Sequence, residues 1–120
     1  MTVGALSVLY LLIDNAGGLI KGREIGAKCG MQSQEVRAMV NELRCKGYPV
    51  CANGGGYFLS ANADDVRQTI KGMEGRIRAM EHAVNGLYRA LDELEECKNE
   101  QDYYYRQCVR KAGTEVHADE

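Results

Sequence analysis

The chain has 120 residues, 45% hydrophobic and 27% charged, with 15 basic against 17 acidic side chains and a formal net charge of −2. That profile fits one small domain with an appendage. It argues against a general polyanion binder, whose non-specific affinity comes from phosphate neutralisation by a strongly basic surface, but leaves room for a local basic face. The charge is uneven: residues 1–60 hold six basic and four acidic side chains, net +2, and residues 61–120 hold nine and thirteen, net −4.

Val3, Leu6, Leu9, Tyr10 and Ile13 recur at three- and four-residue steps. They predict a helix over residues 3–16 with one buried face, ended by Gly17-Gly18. The apolar opening stops at Asp14, far short of the roughly 20 residues a membrane span requires, so no membrane partner is expected. Leu19 to Gly22 is too short for anything but a small strand or extended link. Arg23 to Cys29 predicts a second helix of about two turns, and Gly30-Met31 a tight turn. Ser33 stands where a cap belongs for a third helix, and Val36, Met39, Val40 and Leu43 give that helix a core face up to Lys46-Gly47. Two β-rich runs, Tyr48 to Ala52 and Gly56 to Ser60, flank Asn53-Gly54-Gly55 and predict a hairpin. The order helix, short strand, helix, turn, helix, hairpin is that of a winged helix-turn-helix, expected over residues 1–60.

From Val66, alternate steps of four and three residues land on Ile70, Met73, Ile77, Met80, Val84, Leu87, Leu91 and Leu94, all apolar. This is a coiled-coil seam of four heptads. Asp64 and Asp65 suit the first turn, where the helix dipole favours negative charge. Gly72, Gly75 and Gly86 each cost about 1 kcal/mol relative to Ala. The seam nevertheless keeps phase through all three, at outward positions. One continuous helix over residues 61–96 is therefore expected, about 45–50 Å long, with a turn at Asn85-Gly86 as the alternative. β-branched Ile70, Ile77 and Val84 at one seam position, with Met73, Met80, Leu87 and Leu94 at the other, favour a parallel homodimer in which Arg76 faces Glu81. The alternative is a stripe packed within one chain on Val3 to Ile13. Residues 97–120 read as a polar, partly helical tail, with Gly113 to Glu120 disordered. Tyr103 to Tyr105 is either a partner patch or a last helical turn. The expected fold class is α+β, mostly helical: a winged helix-turn-helix followed by a long carboxy-terminal dimerisation helix.

On the third helix, Gln34, Arg37, Ala38, Asn41 and Cys45 fall in a narrow arc opposite the core face. Arg pairs bidentately with guanine and Gln or Asn with adenine in a major groove, and Ala38 lets the helix come close. The bland alternative is a merely solvated face; inside a helix-turn-helix with a wing, that face is the part that docks. Gln32 and Ser33 at the helix start are expected near phosphates, with Lys21, Arg23, Lys28, Arg44 and Lys46 as backbone contacts and Asn53 at the wing tip. Glu35 and Glu42 lie to the sides. The wing tip offers only Asn53 and glycines where DNA-binding wings often present Lys or Arg.

Five segments carry a family resemblance: Ile20-Lys21-Gly22-Arg23-Glu24-Ile25-Gly26, Gln34-Glu35-Val36-Arg37, Val40-Asn41-Glu42-Leu43-Arg44, Lys46-Gly47-Tyr48-Pro49-Val50 and Gly55-Gly56-Tyr57-Phe58-Leu59. Through them residues 18–60, about a third of the chain, resemble the amino-terminal winged-helix domain of the biotin repressor group and related bacterial and phage regulators. The resemblance implies a bacterial or prophage DNA-binding module whose third helix reads the major groove and whose wing touches the backbone or minor groove. It does not extend to a biotin-ligase domain, so no enzymatic function carries over.

Cys29, Cys45, Cys51, Cys97 and Cys108 form no CxxC pair and leave one over, which fits a reducing cytoplasm. His82 and His117 have no cysteine at metal-ligand spacing, and Gly54-Gly55-Gly56 lacks the Lys-Ser/Thr of a phosphate loop. No nucleophile, base and orienting group assemble, so neither an enzyme, a cofactor nor a metal is expected. The expected function is a dimeric transcriptional regulator binding double-stranded DNA. Its rival is a winged-helix module that binds a protein partner, for example a phage-encoded inhibitor or replication accessory.

Overall fold

The computed structural model describes residues 1–113. The chain is mostly helical with one small sheet. Its elements are α1 (Val3–Asp14), β1 (Ile20–Lys21), α2 (Gly22–Cys29), α3 (Ser33–Cys45), β2 (Val50–Asn53), β3 (Gly56–Leu59), α4 (Ala63–Glu96), α5 (Glu100–Tyr103) and a π-helical segment, Tyr104–Val109. The strands form an antiparallel sheet in the order β1-β3-β2. Ile20 and Lys21 pair with Tyr57 and Gly56, while β2 runs from Val50 opposite Leu59 to Asn53 opposite Gly56. That register leaves Gly54-Gly55 as a two-residue turn. Both residues have positive φ, 58° and 84°, which such a turn needs to match the twist of its strands.

Two compact units divide the described chain, Met1–Glu74 and the residues from Gly75 onward. The first has a core of Val8, Leu12, Ile25, Val36, Val40 and Leu43, all essentially inaccessible to solvent, each worth about 1.5–3 kcal/mol of transfer free energy. Thr2 caps α1, its Oγ1 accepting from the Ala5 N–H at 3.1 Å and donating to Glu42 Oε2 at 2.9 Å. Glu42, expected at the side of α3, therefore ties α3 to the start of α1. At Gly26 an added Cβ would lie 2.5 Å from the Met31 carbonyl oxygen, so the α2-turn-α3 corner closes backbone against backbone.

The expected buried face of α1 is corrected. Ala5, Val8, Leu9 and Leu12 are buried, whereas Val3, Leu6, Tyr10 and Ile13 are exposed, Val3 by 82%. Only Leu9 belongs to both sets. The helix is apolar nearly all round, and α1 meets α3 on its small-residue side, where an added Cβ at Gly4 would lie 2.9 Å from Met39 Sδ.

α4 is one helix of 34 residues, about 51 Å long at 1.5 Å per residue. Asn62 Oδ1 accepts from the Asp64 N–H at 2.9 Å and Ser60 Oγ donates to Asp65 Oδ2 at 2.7 Å, so its start is fastened. Its first turns, through Glu74, belong to the first unit, where Thr69 Oγ1 accepts from the Ala52 N–H at 3.4 Å. The first compact unit thus takes in residues 63–74 of α4.

In the second unit Asn99 Oδ1 caps α5, accepting from the Asp102 N–H at 2.8 Å. Lys111 Nζ pairs with Glu93 Oε1 at 2.6 Å. Tyr103 ends α5, and Tyr104 and Tyr105 are exposed on the π-helical segment. Gly113 is helical; the expected disorder from residue 114 on, and His117, lie outside the described residues. Among those described, no helix is long and apolar enough to cross a membrane, and none of the five cysteines is in a disulfide.

Candidate nucleic-acid interface

α3 is oriented by what it buries. Val36, Val40 and Leu43 enter the core and Met39 packs half-buried against it, so the opposite side must face outward. Gln34, Arg37, Ala38, Asn41 and Cys45 are all exposed there, as the helical spacing predicts. Gln32 and Ser33 are exposed at the start of the helix and Lys46 at its end. Asn53 is exposed where β2 enters the hairpin turn.

The start of α3 differs from expectation. Ser33 is its first helical residue and Gln32 holds the cap position, with no side-chain cap bond. α2 likewise begins after Lys21 without a side-chain cap; the Gly22 N–H donates to the Gly55 carbonyl at 3.4 Å instead. Both helices thus present amino-terminal N–H groups that lack intrahelical acceptors.

Among the basic residues proposed as backbone contacts, Arg44 is placed differently from the rest. It is half-buried; its Nε–H donates to the Val50 carbonyl at 2.8 Å, and its guanidinium carbon stands 6.0 Å from the centre of the Tyr57 ring. It therefore joins α3 to both strands of the hairpin and does not lie on the exposed face with Arg37. A long flexible cation on an amphipathic helix buries its stem readily, and helical spacing alone does not reveal that it turns toward a strand. Lys28 makes an exposed ion pair with Glu24 at 3.6 Å, one turn away on α2. Lys21 and Arg23 are exposed and gather with Arg37 around a recess beside the hairpin turn. Sequence reasoning named these cations one by one but had no signal for their convergence, which depends on β1 pairing with β3.

The apolar stripe of α4 divides in two. Val66 and Met73 are half-buried and, with Ile70, line an apolar recess of about 340 Å³ beside Tyr48 and Pro49. Ile77, Met80, Val84, Leu87, Leu91 and Leu94 are exposed, Met80 by 69% and Leu87 by 70%. Among the described residues, no group of three or more His, Cys, Asp or Glu side chains is arranged to hold a metal ion. No protein-family model, curated protein or solved structure matches the chain.

Proposed function

We propose that the first 60 residues are a winged helix-turn-helix that binds double-stranded DNA with sequence preference, and that the chain works as a homodimeric transcriptional regulator of bacterial or phage type. The observation that carries this reading is the outer side of α3. Gln34, Arg37, Ala38 and Asn41 form an exposed row on a helix whose other side is locked into the core. These side chains suit base edges, and a helix is the element a major groove admits. The adjoining β2–β3 hairpin is the wing, and the resemblance of residues 18–60 to the biotin repressor group points the same way. The exposed part of the α4 stripe, from Ile77 to Leu94, is the proposed dimer seam. A dimer also compensates for low net charge, because two tethered modules raise each other's effective concentration at paired half-sites.

Selection of duplexes from a random library, followed by anisotropy titration, tests the reading. A preferred site is expected, with Arg37→Ala and Asn41→Ala each weakening it by about 1–3 kcal/mol and relaxing the choice of base at one position. If no duplex is preferred, or both variants bind as wild type does, the regulator reading is wrong. The rival, a protein-binding winged helix, draws support from the exposed apolar side of α1 and from a hairpin turn without cations.

A further inference from the structure

The first turns of α2 and α3 and the β2–β3 turn enclose an open recess of about 320 Å³. Lys21, Arg23 and Arg37 line it, together with Ser33, Gly55 and Tyr57, and no carboxylate does. Among the described residues, none of the three cations is ion-paired to an acidic side chain. Two helix starts, both without side-chain caps, contribute to the same wall: Gly22 and Arg23 from α2, Ser33 from α3. Each start carries roughly half a positive charge from its aligned peptides. Five centres of positive potential therefore converge on one concavity.

We propose that this recess is a phosphate seat. Its cations and helix-start amides match the acceptor oxygens and charge of a phosphate group. The volume holds such a group with several waters of about 30 Å³ each. Taking the phosphate from a nucleic-acid backbone rests on the DNA reading above; the chemistry of the seat does not, since a free phosphate presents the same oxygens. Arg37 lies both on the outer row of α3 and at the edge of the recess, so a seated backbone phosphate fixes how α3 enters the groove. The seat also accounts for the neutral wing tip: the positive charge beside the hairpin comes from β1 and α2 through Lys21 and Arg23, which β1–β3 pairing holds there.

The test uses the intact chain, the double variant Lys21→Gln/Arg23→Gln, and Lys71→Gln as a charge control, since Lys71 is exposed on α4 and does not line the recess. Lys21 and Arg23 are exposed, so the double variant retains the core. In one arm inorganic phosphate is titrated and backbone amide resonances are followed. Gly22, Ser33 and Gly55 are expected to shift saturably in wild type and in Lys71→Gln, but not in the double variant. In the other arm the preferred duplex is titrated across salt concentrations. The double variant is expected to lower the logarithmic salt slope by about 2, one unit per lost contact, with base preference unchanged. If duplex binds but the double variant matches Lys71→Gln in slope, the seat is wrong while the DNA reading stands. If no duplex binds but phosphate shifts those three amides and the double variant abolishes the shifts, the DNA reading fails while the seat stands, for a free phosphate. Amide shifts that are absent, or scattered over the surface, overturn the seat.

Discussion

At Gly26 a single hydrogen atom decides whether the α2-turn-α3 corner can close. An added Cβ would stand 2.5 Å from the Met31 carbonyl oxygen, a backbone atom that cannot swing aside. The Met31 N–H also donates to the Gly26 carbonyl at 2.8 Å, so relieving the clash stretches that bond. Gly26→Ala is expected to destabilise the protein by about 1–3 kcal/mol, the usual range for overpacking, measured by urea denaturation. A wild-type midpoint would mean that the corner opens without cost. The contrast with Gly4 is instructive: there the nearest atoms are the ends of the Met39 and Met31 side chains, which can move, so the same substitution is expected to cost less. Nothing in the sequence distinguishes these two glycines, because the difference lies in what a distant segment brings against them.

Among the elements, α3 and the hairpin were legible, and α1 was legible as a helix but not in the face it buries, for a physical reason. α3 alternates apolar and polar residues with a single phase, so Val36, Val40 and Leu43 could face only one way. In α1 the set Val3, Leu6, Tyr10 and Ile13 and the set Ala5, Val8, Leu9 and Leu12 both step by three and four. Close packing against α3 chose the second. α4 was legible for its length because its heptad phase runs unbroken past Gly72, Gly75 and Gly86. Its exposed stripe makes a prediction at this scale. Leu87→Glu leaves the core of the first unit untouched, since Leu87 is 70% exposed, yet takes away the two leucines that the proposed symmetric seam would bury, about 3–6 kcal/mol. Wild type is expected to sediment as a dimer at micromolar concentration and the variant as a monomer with near-wild-type helix content. Identical sedimentation of the two would overturn the proposed seam.

For the whole molecule, the −2 total averages a +2 first half and a −4 second half. The charges proposed to meet phosphate, Lys21, Arg23 and Arg37, all fall in the first. Binding by so few cations depends moderately on salt and leans on two modules acting together, unlike the steep electrostatic attachment of a strongly basic protein. The candidate site was only partly readable in advance. The outer row of α3 follows from periodicity, whereas the recess needs β1, α2, α3 and the hairpin turn brought together. Arg44 illustrates the same limit, because its donation to the Val50 carbonyl joins residues that no local pattern connects.

That contact of Arg44 bears on the thermodynamics of recognition. A hairpin hinged loosely to α3 would have to be immobilised when a duplex binds, at roughly 1–2 kcal/mol of conformational entropy per residue ordered. With the guanidinium reaching β2 and standing over Tyr57, much of that ordering is complete before any encounter. Arg44→Met keeps an apolar stem but gives up both contacts. It is expected to leave base preference intact, make the calorimetric entropy of DNA binding less favourable, and speed amide exchange in β2 and β3. Unchanged entropy and exchange would assign the stiffness of the hairpin to strand pairing alone.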